Sequence, residues 1–482
     1  MLDNRLPKLS VLCTAALLGA CSMMPAYQRP ATPVASDWPS VNGVAVVTSA
    51  QPAADIEWQS FFSDDKLRKL IAVALKNNRD LRIAVLNIEQ ARAQFQIRRA
   101  DQLPTLNLAA TGARQPGARA ANGSSTIASS YTAGLAVTAY ELDFFGRVAS
   151  LKEQALAQFL ATEEARKTAQ ISLVASVANT YLSLLADDEL LAIIQQTLVT
   201  REESYRLSKL RFDNGVTSEL DLRQAESLTE AARVSLAQLM RQRALDENAL
   251  TLLIGQPITP DLVVTLPTGK GLADVPMMAD VPVGLPSDVL VRRPDIRQAE
   301  QQLLAANANI GAARAAFFPR ISLTTSVGSA SASLSGLLKS GTWGWTLAPQ
   351  LLLPIFDAGR NQAGLGSANA ARDIALAQYE KSIQTAFREV ADALAGQATL
   401  SEQLRAQQAQ ATAEAVRFKL ADLRYKNGIA SSLDALDAQR SLFTVQQALV
   451  QSRLAQLQSQ VTLYKTLGGG WKEPVAAVAV AP

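Results

Sequence analysis

The sequence predicts a mixed α+β membrane protein in which duplicated long helical hairpins alternate with four β-strands. Three observations predict it. First, residues 211–225 (RFDNGVTSELDLRQA) and 424–438 (RYKNGIASSLDALDA) align without a gap, a repeat at an offset of 213. Arg211, Asn214, Gly215, Ser218 and Asp221 fall on Arg424, Asn427, Gly428, Ser431 and Asp434. Second, each copy lies between long, proline-free segments of helical periodicity. Third, four runs of about ten residues alternate apolar and polar, as strands do.

Residues 1–20 carry Arg5 and Lys8, then the mostly apolar run Leu9–Leu18, and close on Leu18-Gly19-Ala20-Cys21, the grammar of a signal peptide. Residues 21–62 form an N-terminal segment rich in proline, expected to run extended with Trp38 and Trp58 pinning it. The first structural repeat spans 63–255. Its opening helix is expected from Ser63-Asp64 to about Asp101, with Leu67, Leu70, Ala74, Leu81, Val85, Ile88 and Ala91 at helical spacing, and Pro104 beyond its end. Leu106, Leu108 and Ala110, then Tyr131, Ala133, Leu135, Val137 and Ala139, predict two strands joined by a loop over 113–129.

From Arg147 to Asn214 there is no proline, and no glycine before the turn, so one helix of roughly 65 residues, about 100 Å long, is expected. Asn214-Gly215 supplies a left-handed turn, Ser218 and Asp221 cap the next helix, and that helix runs to Ile254. Residues 256–286, with six prolines, are the expected crossover. The second repeat, 287–468, restarts the programme: Ile321, Leu323, Thr325 and Val327 alternate, as do Trp343, Trp345, Leu347, Pro349, Leu351 and Leu353. Helices from about Gln362 to Asn427 and from about Leu433 to Leu467 follow, and 469–482 is a C-terminal tail.

Four strands cannot close in lipid, where an open sheet edge leaves its peptide groups unsatisfied. Several chains must share one barrel. Two would fill its interior with side chains, whereas three make a 12-stranded transmembrane β-barrel with room for a pore. A homotrimer is therefore expected, its helical hairpins forming an α-barrel tunnel on one side of the membrane.

Composition narrows the chemistry. Lys+Arg 46 against Asp+Glu 43 leaves a net +3, so nucleic acid is not the expected partner. There is no histidine, and cysteine occurs only as Cys13 and Cys21, which removes the usual general base, the His-dependent nucleophiles, disulfides and most metal sites. No enzyme, cofactor or metal is expected.

The stretch GLPSDVLVRRPDIRQAE (284–300), with YQRP (27–30), ELDFFGR (141–147), PIFDAGR (354–360) and LDAQRSLF (436–443), resembles the TolC superfamily, and more closely its OprM-like branch of outer-membrane efflux lipoproteins. The resemblance covers nearly everything from 21 to about 470. Leu18-Gly19-Ala20-Cys21 is similar to a lipoprotein box, which implies lipidation (palmitate included) at Cys21, and Ser22 after it implies an outer-membrane address. The fold implied is a trimer with a β-barrel, a helical barrel and an equatorial belt. The function implied is a passive, gated duct of a tripartite multidrug efflux system, from periplasm to exterior. Its implied partners are a periplasmic membrane-fusion adaptor and an inner-membrane resistance-nodulation-division pump.

The resemblance also places the gate. Leu433 and Asp437 match the narrowest ring at the periplasmic end, with Asp434 and Tyr425 beside them and Asp221 on the first hairpin. Arg211, Arg424 and Arg440 are the candidate cations for inter-helix pairs that hold the gate, each pair worth little. Some members clasp the gate with an arginine five residues after the tyrosine; here that position is Ala430. Asn214, Gly215, Asn427 and Gly428 are the candidate adaptor-facing tips. Helix capping alone would also account for Asp221 and Asp434. A type I secretion channel for protein export and a poreless periplasmic coiled-coil adaptor remain the alternative functions.

Overall fold

The computed structural model describes residues 23–35, 37–39, 55–119, 125–257, 271–275, 278 and 292–471. The signal segment with Cys21, most of the Pro-rich crossover, the start of the 284–300 motif and the tail beyond Trp471 lie outside the described residues. In chain order the elements are α1 (Trp58–Phe61), α2 (Asp65–Asn77), α3 (Arg79–Ala100), β1 (Leu106–Arg119), β2 (Ser125–Leu142), α4 (Arg147–Asp213) and α5 (Glu219–Ile254). Then follow α6 (Pro294–Ala315), β3 (Arg320–Ser331), β4 (Trp343–Leu352), α7 (Arg360–Lys426) and α8 (Ser432–Thr466), with short 3-10 turns at Leu272–Asp274 and Leu334–Gly336. The helices α4 and α7 each hold 67 residues, about 100 Å of uninterrupted helix. The chain divides into two compact units.

One unit combines the N-terminal segment with Asn87–Glu163 and Gln298–Glu380. Its sheet is antiparallel throughout, in the order β1-β2-β3-β4. Register puts Leu108, Leu135, Val327 and Trp345 in one row, on a face where Leu108 is 83% and Trp343 and Trp345 are 71% exposed. The next row, on the opposite face, is Ala109, Gly134, Gly328 and Gly344. Successive residues thus separate a continuous apolar face from one of small and hydroxyl residues, where Thr111 bonds Thr132 at 2.6 Å and Ser326 bonds Thr346 at 2.7 Å.

The first two strands are longer than predicted, at 14 and 18 residues. Much of the expected 113–129 loop is strand, because backbone pairing carries Ala113, Arg114 and Gln115 opposite Ser130, Ser129 and Ala128 where side-chain alternation has faded. Between Val137 and Tyr140 the register shifts; Ala139 takes φ 50° there and its N–H donates to Thr324 Oγ1 at 3.1 Å. Each strand pair hands over to its long helix through an aspartate of the repeated motif. Asp143 accepts the Ala149 N–H at 2.7 Å, and Asp357 accepts the Asn361 N–H at 2.9 Å. Glu141, at the end of β2, binds both Arg147 and Arg320.

The other unit combines Thr32–Leu86, Glu164–Arg297 and Lys381–Pro482. Its core gathers Phe61, Phe62, Leu67, Leu70 and Ile71 against Val177, Tyr181 and Leu182 of α4, Leu250 and Ile254 of α5, and Val461 and Tyr464 of α8. Phe61 stacks on Tyr464 at 4.0 Å, and Tyr181 donates to Asp64, the N-cap of α2, at 2.9 Å. Trp58 is buried, and Trp38 stacks on Phe387 at 4.9 Å, so both tryptophans pin the N-terminal segment. An apolar window of α4 is long enough to cross a bilayer, but 67% of it is buried inside the fold and it serves as core.

The single helix expected from Ser63-Asp64 to Asp101 is two. Asn78 takes an extended conformation, accepts the Leu81 N–H through Oδ1 at 2.9 Å and donates to the Leu253 carbonyl at 3.0 Å. A capping side chain anchored on α5 outweighs the continuous periodicity. Consequently Leu67, Leu70 and Ala74 are core, whereas Val85 is exposed and Ile88 and Ala91 only half-buried.

Three consecutive acids on α4 each face a different neighbour. Asp188 pairs with Arg243 at 2.6 Å, and Glu189 with Arg453 at 3.0 Å while accepting the Leu272 N–H at 2.8 Å. Asp187 is buried against Asp246, and its Oδ2 has no hydrogen-bond partner. Burial, followed by the Asp246 carboxyl, pushes Asp187 up to about 7. A carboxyl whose folded pKa is raised binds a proton more tightly in the fold, so its contribution is complete at acid pH and is lost as pH rises through about 7. The melting temperature should therefore fall between about pH 4 and pH 7. Asp187→Asn should flatten that slope, which a melting series across this range will check.

Candidate functional site

Both repeated turns fold as a left-handed helix stop followed by a capping box. At the first, Gly215 takes φ 69°, the Val216 N–H bonds the Arg211 carbonyl at 2.8 Å, and Asn214 Nδ2 bonds the Leu210 carbonyl at 2.7 Å. At the second, Gly428 takes φ 73°, the Ile429 N–H bonds the Arg424 carbonyl at 2.9 Å, and Asn427 Nδ2 bonds the Leu423 carbonyl at 2.7 Å. Only glycine takes such a φ at little cost. Ser218 accepts the Asp221 N–H, Ser431 accepts the Asp434 N–H, and each aspartate returns a bond to its serine, completing both boxes. Asn214, Gly215, Asn427 and Gly428 are all exposed.

The two aspartates then diverge. Among the described residues Asp434 bonds only Ser431, as a cap does. Asp221 also accepts from Thr217 at 2.8 Å and, across the hairpins, from Ser432 Oγ at 2.6 Å. The Ser432 hydroxyl, then Ser218 and Thr217, hold its carboxyl down at about 2. Capping thus accounts for Asp434, while Asp221 both caps its own hairpin and grips the other. Ser432 escaped the sequence reading, because the repeat drew attention to the equivalent Ser431.

Asp437 sits between two cations: Arg417 of α7 at 2.7 Å and Arg440 of its own helix at 2.5 Å. Arg417, the inter-helix partner, was not among the candidates. Its signal lies in the spacing about the turn, since Arg417 and Asp437 stand at similar distances on either side of Asn427-Gly428. Among the described residues of the single chain, none of the three named arginines makes an inter-helix ion pair. Arg440 pairs within α8, three residues along. Arg211 lies over the Tyr425 ring at 4.8 Å, a cation–π contact between the hairpins. Arg424 closes the turn through its carbonyl and makes no ion pair among the described residues. Leu433 stands 58% exposed beside these charges.

A four-stranded sheet with one apolar face, joined to helices too long for a single globular core and ending in paired turns, defines a membrane channel protein of mixed, mostly helical architecture. The chain belongs to the outer membrane efflux protein family, whose model matches residues 70–256 and 285–469. It is 50% identical over 468 residues, 96% of each chain, to the toluene efflux pump outer membrane protein TtgC of Pseudomonas putida. Outer membrane protein OprJ of Pseudomonas aeruginosa is 47% identical over 466 residues, again 96% of each chain. The open state of the Neisseria gonorrhoeae MtrE outer membrane channel superposes with a TM-score of 0.83 at 41% identity, covering 94% of this chain and 99% of that one. The resemblance carried by the sequence motifs is thereby confirmed, and the fold is that of TolC-like outer-membrane channels.

Proposed function

We propose that this protein is the outer-membrane channel of a tripartite efflux system in a Gram-negative bacterium, a passive duct from periplasm to exterior, acting as a homotrimer. The sheet carries that reading: β1 and β4 are its open edges, and one face is apolar along its whole width. Three copies join these edges into a twelve-stranded barrel whose apolar face, with Trp343 and Trp345, meets outer-membrane lipid. Native mass, or a heat-sensitive gel band, tests it; a trimer is the expected species and a monomer would overturn the shared barrel.

The N-terminal segment supports lipid anchoring at Cys21. From Arg29 back to Met23 it climbs α6: Arg29 and Tyr27 bond Glu300, the Pro25 carbonyl accepts from Asn307 at 2.8 Å, and the Met23 carbonyl accepts from Arg314 at 3.4 Å. A Cβ on Gly311 would lie 3.0 Å from Met24 backbone atoms, so the strap lies close against the helix. The direction is towards the end of α6 from which β3 departs, where a membrane anchor belongs.

The hairpin tips supply the periplasmic gate. Three-fold symmetry turns Asp437 into a ring of three carboxylates and Leu433 into an apolar ring that blocks passage by dewetting. Asp434, Tyr425 and Asp221 stand beside it, with Arg211, Arg424 and Arg440 as its cations. The exposed turns meet the periplasmic adaptor, which passes on solute from a resistance-nodulation-division pump. The two repeats, 63–255 and 287–468, are the units that symmetry relates across the 256–286 crossover. The solutes are small amphiphilic or apolar molecules, as the names of the relatives suggest for those proteins.

A further inference from the structure

Arg201 stands out among the charges of α4. It is 3% exposed, no carboxylate pairs with it among the described residues, and burial pushes its guanidinium down. It holds two elements: Nη1 donates to the Leu228 carbonyl of α5 at 2.8 Å, and the guanidinium lies 4.9 Å from the centre of the Phe443 ring on α8. Its Nε, though buried, has no acceptor among the described residues. On α8, four residues towards the tip from Phe443 and on the same face, Gln439 is 5% exposed and its Oε1 has no donor among the described residues. A buried donor and a buried acceptor are thus both unmade on helices that meet at Phe443, and Gln439 lies one turn, about 6 Å of helix rise, from Phe443. Native interiors rarely leave such groups unsatisfied, so each calls for a physical account.

We propose that Arg201 is a positioning residue for the gate, seating α8 on the first hairpin through Phe443 in the state seen here and taking Gln439 as its partner when α8 shifts by about a turn. The inference rests on the channel reading above. A cation on an aromatic face has little directional preference, so it permits sliding, whereas a carboxylate in place of Phe443 would lock one register. The contacts tipward of Arg201 suit such a motion. Ser432 with Asp221 and Arg211 with Tyr425 are more exposed, and exposed contacts contribute little and break easily.

Single-channel recording of the purified protein in planar bilayers tests the proposal with two opposed substitutions. Gln439→Met removes the acceptor used only in the shifted arrangement, so open dwell times should shorten several-fold with closed conductance unchanged. Gln439→Glu supplies a charge-assisted partner for Arg201 and should lengthen them. Phe443→Leu loosens the seat and should raise the frequency of opening. A merely structural role for Arg201 would lower oligomer melting in all three without moving dwell times in opposite directions. Unchanged dwell times in Gln439→Met, or equal effects of Met and Glu, would overturn the proposal even where Asp437→Ala opens the channel. Absence of conductance from the unmodified protein would overturn the channel reading itself.

Discussion

Asp437→Ala opens the periplasmic end: in planar bilayers the closed-to-open ratio of the purified channel should fall by about ten-fold, three weak pairs being released together. The substitution removes the Asp437 carboxylate and leaves Arg417 without the partner that ties α7 to α8 at 2.7 Å. Arg417→Ala should reproduce much of the effect. Arg440→Ala should do so less, because Arg440 pairs three residues along its own helix and holds no second helix in place. The hydrogen bond from Arg417, then that from Arg440, lowers the Asp437 carboxyl below its usual range. A lowered pKa places the linked contribution above the ordinary carboxylate value, and it is lost only as pH falls through the lowered one. Closed-state conductance should therefore hold steady from about pH 8 to pH 5. An unchanged conductance in Asp437→Ala would remove Asp437 from the gate.

Gly134→Val and Gly328→Val should abolish the oligomer that survives on unheated gels. A Cβ on Gly134 would sit 2.3 Å from the Val327 carbonyl oxygen, and one on Gly328 would sit 2.3 Å from the Ala133 carbonyl oxygen. The two glycines face each other across β2 and β3, so backbone approaches backbone and no side chain can turn aside. Making room would part the two strands, and lipid offers no water to satisfy the peptide groups released. Assembled protein in the outer membrane should fall at least about ten-fold. Gly344, in the same row on the edge strand β4, has nothing of its own chain within 4 Å of its would-be Cβ, and Gly344→Ala should lower assembly less than either valine variant. Oligomer recovery from membranes, read on unheated gels, separates the cases.

Much of the architecture was legible because it is local. The 67-residue helices follow from periodicity without breakers, and both capping boxes follow from a serine with an aspartate three places on. Legibility failed where local and distant demands conflict. Asn78 interrupts a continuous apolar pattern because a carbonyl on α5, 175 residues away in sequence, takes its side-chain amide. The alanine- and serine-rich parts of β1 and β2 are strand through pairing, although their residues carry almost no alternation. At the tips, residue types and turn positions were readable, but the choice of partner was not. Arg211 turns to a ring, Arg440 to a residue of its own helix, and Arg424 serves the turn through its backbone carbonyl, while Arg417 takes the inter-helix pair.

The sequence by itself determined that this chain is a duplicated helical-hairpin and strand protein with two capped turns, since periodicity, breakers and capping chemistry act within a few residues. Packing between distant segments settled that Asp221 grips Ser432, that Asp437 holds Arg417, that Gly134 must lie against Gly328, and that Arg201 is buried against Phe443. Those outcomes depend on which helices and strands lie side by side. Residues 20 to more than 200 positions apart compete for each contact, and only packing ranks the competitors.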